Sequence, residues 1–340
     1  MMRGRRILLL TVLPLIAVAV IIGAVGIGAV GVPAREVVAI LWSALRGALS
    51  GTVVPAETII LQVRLPRILL GFLIGASLSL AGTAFQGLLQ NPLADPYTIG
   101  VSSGAAVGAT AAMLFFPEAA SGFVIPLCGF VGALLALLTV YSLGSVGGRL
   151  PVVTVLLAGV VVSSFLSAVI SLGMLFAGEQ MRNIFFWLAG GLGQKGWPFL
   201  ALIIPYFVIG LAVLLYLARD LNLILLGEEE ALTLGVEVER TKRWILVAAS
   251  LITAGAVSVS GMIGFVGLIV PHAMRILIGP DHRHLYPATI IGGGIFLVVT
   301  DTFARTIIAP AEIPVGIVTA FLGAPFFIYL LRRHRGKYRF

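Results

Sequence analysis

Residues 64–108 read RLPRILLGFLIGASLSLAGTAFQGLLQNPLADPYTIGVSSGAAVG. An apolar run leads into the short segment NPLADP (Asn91 to Pro96), and a second apolar run follows it. Each proline of that segment removes a backbone donor and breaks a helix. In lipid, backbone groups freed in this way need protein or water partners. The stretch therefore predicts two membrane-spanning helices joined by a turn at one membrane surface.

The composition of the whole chain extends this prediction. Hydrophobic residues make up 59% of the 340 residues, charged residues only 11%, and the mean hydropathy is +1.12. A soluble domain carries about 25% charged residues, and a spanning helix takes roughly 20 apolar residues. We therefore predict an all-α, polytopic membrane protein, a single domain over residues 1–340 with no separate soluble part.

Ten apolar stretches are separated by proline, glycine or charge. The first is too long for the apolar region of a cleaved signal peptide, the alternative interpretation, and is predicted to be an uncleaved span. Residues 32–65 are predicted as a polar loop, and residues 177–197 as a loop with a short re-entrant or interfacial helix. The ten stretches lie near residues 7–32, 67–89, 97–116, 123–146, 152–176, 198–218, 243–261, 263–278, 286–307 and 313–331.

The basic residues predict the orientation of the chain. With the N-terminus inside, ten spans return the C-terminus to the inside, and 15 of the 22 lysines and arginines then lie there. This agrees with the positive-inside rule, whereas nine or eleven spans weaken the bias. The net charge of +8 is thereby assigned to membrane orientation, and nucleic acid is not expected as a partner.

Neither a metal centre nor a catalytic centre is predicted. The only cysteine is Cys128, and the four histidines do not group as ligands, so no disulfide framework, metal or cofactor is expected. A phosphate-binding loop of the form GxxxxGK[ST] is absent from the sequence. The chain is therefore not expected to be an enzyme.

Ionisable residues inside spans are the first candidates for function. Asp301 and Arg305 are four residues apart and are predicted to pair on one helix face. His272 lies on an apolar face and is predicted to be a buried hydrogen-bonding group. Serines within spans more often bond to their own helical turn than act in catalysis.

Three blocks of the sequence, residues 64–108, 227–243 and 264–331, resemble the FecCD-type permease subunits of type II ABC importers. Within this iron-siderophore, haem and cobalamin uptake family the chain is close to the cobalamin permeases. The resemblance implies a homodimer in the inner (plasma) membrane that forms the translocation pathway. It also implies two copies of a separate ATP-binding subunit that hydrolyses ATP, and an extracytoplasmic substrate-binding protein. The implied substrate is a metal chelate, ferric siderophore first and then haem or cobalamin, while an oxyanion remains open.

The resemblance also assigns roles to particular residues. Residues 219–243 become a cytoplasmic coupling loop, in which Gly235 is expected to separate two short helices. Three arginines at the outer surface are expected to meet acidic residues of the binding protein, the alternative being that they anchor the chain to lipid headgroups. The ATPase-coupling residues are Glu228, Glu229, Ala231, Leu232, Leu234 and Gly235; the docking residues are Arg64, Arg67 and Arg305; the pathway and gate residues are Val152, Val153, Ser163, Ser164 and Ser167.

Two other functions are weighed against this one. An ion-gradient-driven secondary transporter needs acidic residues near the middle of the membrane, and Asp301 is the one serious candidate. A structural subunit of a respiratory complex would need paired haem-ligating histidines within spans, and the sequence has none.

Overall fold

The computed structural model describes residues 2–28, 31–47, 55–118 and 122–333. These residues form α-helices and turns, without a β-strand among them, and a single bridge joins Val146 to Arg149. The helices are α1 (Met2–Gly26), α2 (Ala34–Leu45), α3 (Pro55–Thr58), α4 (Leu65–Leu88), α5 (Val101–Phe115), α6 (Val124–Gly144), α7 (Val152–Leu175), α8 (Met181–Leu188), α9 (Trp197–Tyr216), α10 (Ala218–Ile224), α11 (Glu228–Thr233), α12 (Val238–Ser260), α13 (Val266–Ile278), α14 (His282–Ala304) and α15 (Val315–Arg333). A π-helical turn (Ile59–Arg64) joins α3 to α4, and a 3-10 turn (Gly178–Gln180) precedes α8.

All ten stretches predicted as spans are helical. Within the described part of the chain, six helices are long and apolar enough to cross a membrane: α6, α7, α9, α12, α14 and the continuous helix from Pro55 to Leu88. Shorter apolar helices occupy the other four stretches, within α1, α5, α13 and α15. The all-α, polytopic architecture predicted from composition is confirmed. The C-terminal residues 334–340, whose basic side chains support the predicted orientation, lie outside the described residues.

The helices α4, α12 and α14 form the centre of the bundle. α4 packs against α12, α13 and α14, and α12 also contacts α6 and α9. Their close approach depends on glycine: a Cβ added to Gly82 of α4 would overlap the carbonyl oxygen of Gly267 in α13. Small residues permit this backbone contact in membrane bundles, where helices associate through close van der Waals packing rather than through the hydrophobic effect. By contrast, α7 and α9 leave most of their apolar surface exposed.

The prediction that residues 32–65 form a polar loop is wrong. It contains α2 and the helical segment from Pro55 to Arg64, which runs without a break into α4, while residues 48–54 lie outside the described part. Val37 and Ile40 of α2 are buried against α1 and α4. The sequence does not distinguish this helix from a loop, because the charges around Val37 and Ile40 are typical of a loop as well as of the exposed face of an amphipathic helix.

The prediction that Gly235 separates two short helices also needs correction. Gly235 has a positive φ of +81°, a conformation that glycine adopts at little cost. It separates the short helix α11 from the start of the long helix α12, rather than two short helices. The predicted turn at Asn91 to Pro96 and the short helix within residues 177–197, here α8, are confirmed.

Candidate functional site

One end of the bundle, predicted to be the outer one, carries a group of five charged residues that we call the outer cluster: Arg64, Arg67, Asp301, Arg305 and Glu312. Its centre is Arg67, at the start of α4. The Arg67 guanidinium donates to both carboxylate oxygens of Asp301 at 3.0 and 2.9 Å, and its Nη1 donates to Glu312 at 2.9 and 3.0 Å. A two-pronged contact of this kind fixes direction as well as distance. It joins α4, α14 and the segment before α15.

The other two arginines of the outer cluster hold the end of α1. Nη1 of Arg64 donates to the carbonyl oxygens of Val25 and Gly26 at 3.0 and 3.2 Å, and Nη2 of Arg305 donates to that of Ala24. The last carbonyls of a helix have no partner within the helix and carry the negative end of its dipole. Both arginines are buried, with 6% and 8% of their surface exposed. They therefore neutralise and satisfy the C-terminal end of α1.

The predicted pairing of Asp301 with Arg305 is wrong. Asp301 accepts its side-chain hydrogen bonds from Arg67 of another helix, while Arg305 reaches towards α1. The burial of Arg64 and Arg305 also limits the predicted docking role, since a binding protein would meet little of either side chain. Arg67 keeps 13% of its side chain exposed and remains a docking candidate.

Lys195 lies in the segment between α8 and α9, and no sequence motif singles it out. Its Nζ donates to the carbonyl oxygens of Gly191, at 3.1 Å, and Val259, near the end of α12. Burial and, next, the nearby charge of Arg67 lower the pKa of Lys195 to about 8. A buried ammonium thus links the α8–α9 segment to α12. No sequence pattern marks this role, because its acceptors are backbone carbonyls.

An open groove of about 820 Å³ lies beside these residues. Its polar wall includes Arg67, Asp301, Glu312 and Lys195, and α8 contributes Arg182 and Asn183. This end of the bundle therefore presents a charged, water-accessible surface above apolar helices. Among the described residues, no group of three or more His, Cys, Asp or Glu side chains could hold a metal ion.

The opposite end, predicted to be the inner one, carries the predicted coupling loop 219–243. Leu232 and Leu234 are exposed, at 59% and 61% of their surface, and Glu228, Glu229 and Gly235 are also exposed. Ala231 is fully buried and packs with Ile224, Val236 and Val238. The predicted coupling role of Ala231 is thus corrected from direct contact with the ATP-binding subunit to support of α11 within the loop.

Two contacts fasten this loop to the bundle. The carboxylate of Glu228 accepts from Nζ of Lys242, a buried residue of α12. The amide of Asn222 in α10 donates to Asp281 at 2.7 Å, and its oxygen accepts from the backbone N–H of His282 at 3.0 Å. Hydrogen bonds from Arg283 hold the pKa of Asp281 well below its usual range. A displacement of α10 and α11 would therefore act directly on α12 and α14.

The predicted pathway residues lie on α7, one of the most exposed helices. Val153 is 68% exposed, whereas Val152 packs partly into the core. Ser164 and Ser167 are exposed, and each donates its hydroxyl to the carbonyl four residues earlier, at 2.8 Å. Ser163 is half-buried and faces the carbonyl of Tyr97 at 3.5 Å. The prediction that these hydroxyls bond to their own helix is thus confirmed for Ser164 and Ser167.

Comparisons with known proteins agree with this architecture. The family model described as the FecCD transport family matches residues 15–333. A cobalamin import system permease protein of Halobacterium salinarum is 50% identical over 277 residues, which cover 82% of this chain and 74% of that protein. A hemin transport system permease protein of Yersinia pestis is 42% identical over 284 residues, covering 80% and 81%.

A solved structure is also similar. It is described as an inward-facing conformation of a metal-chelate type ABC transporter, with a TM-score of 0.81 and 33% identity. The match covers 95% of this chain and 98% of that one.

Proposed function

The chain belongs to the FecCD transport family, whose model matches residues 15–333, and on that basis we propose that it is the permease subunit of an ATP-driven importer for a metal chelate. It is a multi-pass protein of the cell membrane. ATP hydrolysis belongs to a separate ATP-binding subunit, of which two copies bind at the inner end. A substrate-binding protein delivers the chelate at the outer end.

The observation that carries this proposal is the geometry of α11. Exposed apolar side chains on a charged loop are typical of a docking surface, and Leu232 and Leu234 are exposed between glutamates. The loop is fastened to α12 by Glu228 and Lys242, and to α14 by Asn222 and Asp281. An ATP-binding subunit that holds the two leucines would therefore pull on helices of the bundle centre.

A second copy of the chain would complete the pathway. α7 carries no charged residue, and its exposed face includes Val153, Leu157, Val161 and Phe165, with the polar side chains of Ser164 and Ser167 among them. Two such faces opposite each other would form an inert wall, in which the valines make a constriction that gates by dewetting. A wall without charges suits a substrate that the binding protein, and not the pathway, recognises.

The substrate class follows from the relatives, which are named for cobalamin and hemin import, and from the metal-chelate type transporter of similar structure. Ferric siderophore, haem and cobalamin are the members of this class to be tested. Cells that depend on this chain for uptake would be supplied with each labelled chelate in turn. Accumulation of one of the three is expected, whereas uptake of molybdate alone would reject the chelate class.

The secondary-transporter alternative receives no support from the geometry. Asp301, its one candidate for ion coupling, is bound by Arg67 through two hydrogen bonds.

Co-purification provides a direct test of the ATP-driven proposal. The chain expressed with its ATP-binding subunit is expected to yield a complex with two copies of each, and purification of the permease alone under conditions that preserve the membrane dimer would contradict it.

A further inference from the structure

A groove of about 420 Å³ runs between α6 and the first turns of α12, beside the predicted inner surface of the membrane. Four of the residues that line it are aliphatic. Leu137 and Leu246 are buried at the bottom, while Leu138 and Val247 are 61% and 41% exposed at the sides. The groove is therefore open towards the surface that the apolar helices present to lipid.

Two arginines lie at one end of this apolar groove. Arg240 and Arg243 both line the groove, and residues three apart on a helix share a face. Nη1 of Arg240 lies 3.2 Å from Glu237, but both side chains are about two-thirds exposed, and such a pair contributes little. Nε of Arg243 donates to the backbone carbonyl of Glu239 at 3.2 Å. Both positive charges thus remain available to an anion.

The carboxylate of Glu239, one turn before Arg243, is engaged with other groups. Glu239 accepts from the backbone N–H of Leu150 at 2.8 Å and lies 3.4 Å from Nζ of Lys242. Lys242 itself is buried and also binds Glu228. Among the described residues, none of those that line the groove is acidic. The groove therefore combines two arginines, of which Arg240 has only an exposed and weak pair with Glu237, with an apolar interior.

Two aromatic residues mark the depth of the groove in the membrane. Tyr141, near the end of α6, and Trp244, in the second turn of α12, both line it. Tyrosine and tryptophan concentrate where hydrocarbon meets the headgroups. Their position places the arginines at headgroup level and the leucines at the level of the acyl chains.

We propose that this groove is a binding site for an anionic phospholipid of the inner leaflet. The phosphate lies between Arg240 and Arg243, whose planar guanidinium groups suit phosphate oxygens, and an acyl chain follows Leu138 and Val247. Basic pockets between spanning helices on this side of a membrane bind such headgroups. Because Arg240 and Arg243 also line the adjoining cavity beside α11, a bound lipid would lie next to the coupling loop.

The test is a lipid titration of the purified full-length permease, with and without its ATP-binding subunit, observed by native mass spectrometry. Phosphatidylglycerol is expected to bind more tightly than phosphatidylcholine. Each basic residue near an anionic surface contributes about fivefold to affinity, so the double variant Arg240→Ala, Arg243→Ala is expected to bind phosphatidylglycerol about 25-fold more weakly. Arg219→Ala is the matched control, since Arg219 is an exposed arginine of α10 at the same end.

Further variants separate a lipid site from loss of fold and from a site for free phosphate. Arg240→Lys, Arg243→Lys keeps the charge and is expected to retain most of the binding. Leu138→Ala is expected to weaken phosphatidylglycerol binding severalfold, because it removes acyl-chain contact only. The proposal is overturned if the double alanine variant binds as the wild type does, if Arg219→Ala weakens binding equally, or if inorganic phosphate displaces the lipid. Displacement of the lipid by the ATP-binding subunit would also overturn it.

Discussion

Arg67 and Asp301 are 234 positions apart in the chain, yet Nε and Nη2 of the arginine lie 3.0 and 2.9 Å from the two carboxylate oxygens. The pair joins the start of α4 to the last turns of α14. Because α14 begins at the residues that hold Asn222, a single helix connects the outer cluster to the coupling loop.

The Arg67–Asp301 pair is expected to stabilise the fold much more than the neighbouring contact with Glu312. Asp301 is 4% exposed and Glu312 47% exposed. Removing one partner of a buried pair costs about 3 kcal/mol, whereas an exposed pair contributes less than about 1 kcal/mol. Thermal unfolding in detergent should therefore show a large loss for Asp301→Asn and a small one for Glu312→Gln. Equal losses would show that Asp301 is not the main anchor.

At the outer surface, Arg67 and Glu312 are expected to have opposite effects on docking. If an acidic residue of the binding protein approaches Arg67, Glu312 competes for the same Nη1 group, which it contacts at 2.9 Å. Glu312→Gln should then raise the affinity for the binding protein a few-fold at low salt, and Arg67→Gln should lower it, because interfacial charge governs encounter. Arg35→Gln, an exposed change on α2, is the control. Affinities that change in the same direction would reject docking through Arg67.

The exposed leucines of the coupling loop are expected to bind the ATP-binding subunit. Leu232→Asp or Leu234→Asp should abolish co-purification of that subunit, since buried apolar contacts dominate interfaces, while Glu229→Ala should have a small effect. Thr233→Asp introduces the same charge between the two leucines at an exposed residue. Its complex is expected to survive. Loss of binding in the Thr233 variant alone, with both leucine variants intact, would place the contact elsewhere.

Lys195 is expected to make stability depend on pH in the alkaline range. Burial lowers the pKa of Lys195 from 10.5 to about 8 in the folded protein. Between these values the unfolded state binds the proton more tightly, so the stability of the fold should rise as the pH increases from about 8 to 10.5. The stability difference between wild type and Lys195→Met should shift by about 3 kcal/mol across this range. Chemical unfolding of both proteins at several pH values measures this stability difference. A difference that stays constant from pH 8 to 10.5 would contradict the prediction.

Close helix contact at Gly82 is expected to be essential for the bundle. A methyl group there would overlap the carbonyl oxygen of Gly267 and separate α4 from α13. Gly82→Ala should therefore prevent recovery of monodisperse protein. Gly23→Ala in α1 meets no atom within 4 Å and should be neutral or slightly stabilising, because alanine favours helix more than glycine does. Normal folding of the Gly82 variant would disprove the packing argument.

The helices could be predicted from the sequence because hydrophobicity is a local property. Each of the ten apolar stretches is long enough to be recognised without its neighbours. The exception follows the same logic: the sequence of α2 is typical of a loop because its buried residues, Val37 and Ile40, are surrounded by charge. Its apolar face can be recognised as a buried face only when the positions of α1 and α4 are known.

The contacts within the candidate sites could not be predicted in the same way. Asp301 has an arginine four residues away in sequence, and local spacing predicts that pair, whereas Arg67 lies 234 positions away. The acceptors of Arg64, Arg305 and Lys195 are backbone carbonyls, which every residue carries. The exposure of Leu232 and Leu234 agrees with their assignment to ATPase coupling, because a short charged loop leaves little room to bury them. The burial of Ala231 depends on the fold of the loop.

ATP is expected to drive transport by this permease. The most direct test of ATP dependence is chelate uptake into proteoliposomes that contain the permease with its ATP-binding subunit and are supplied with the loaded binding protein. Uptake is predicted to require ATP on the side of α11, to persist when ionophores remove all ion gradients, and to disappear in the Leu232→Asp variant. Uptake that continues without nucleotide and stops on addition of an ionophore would contradict the account.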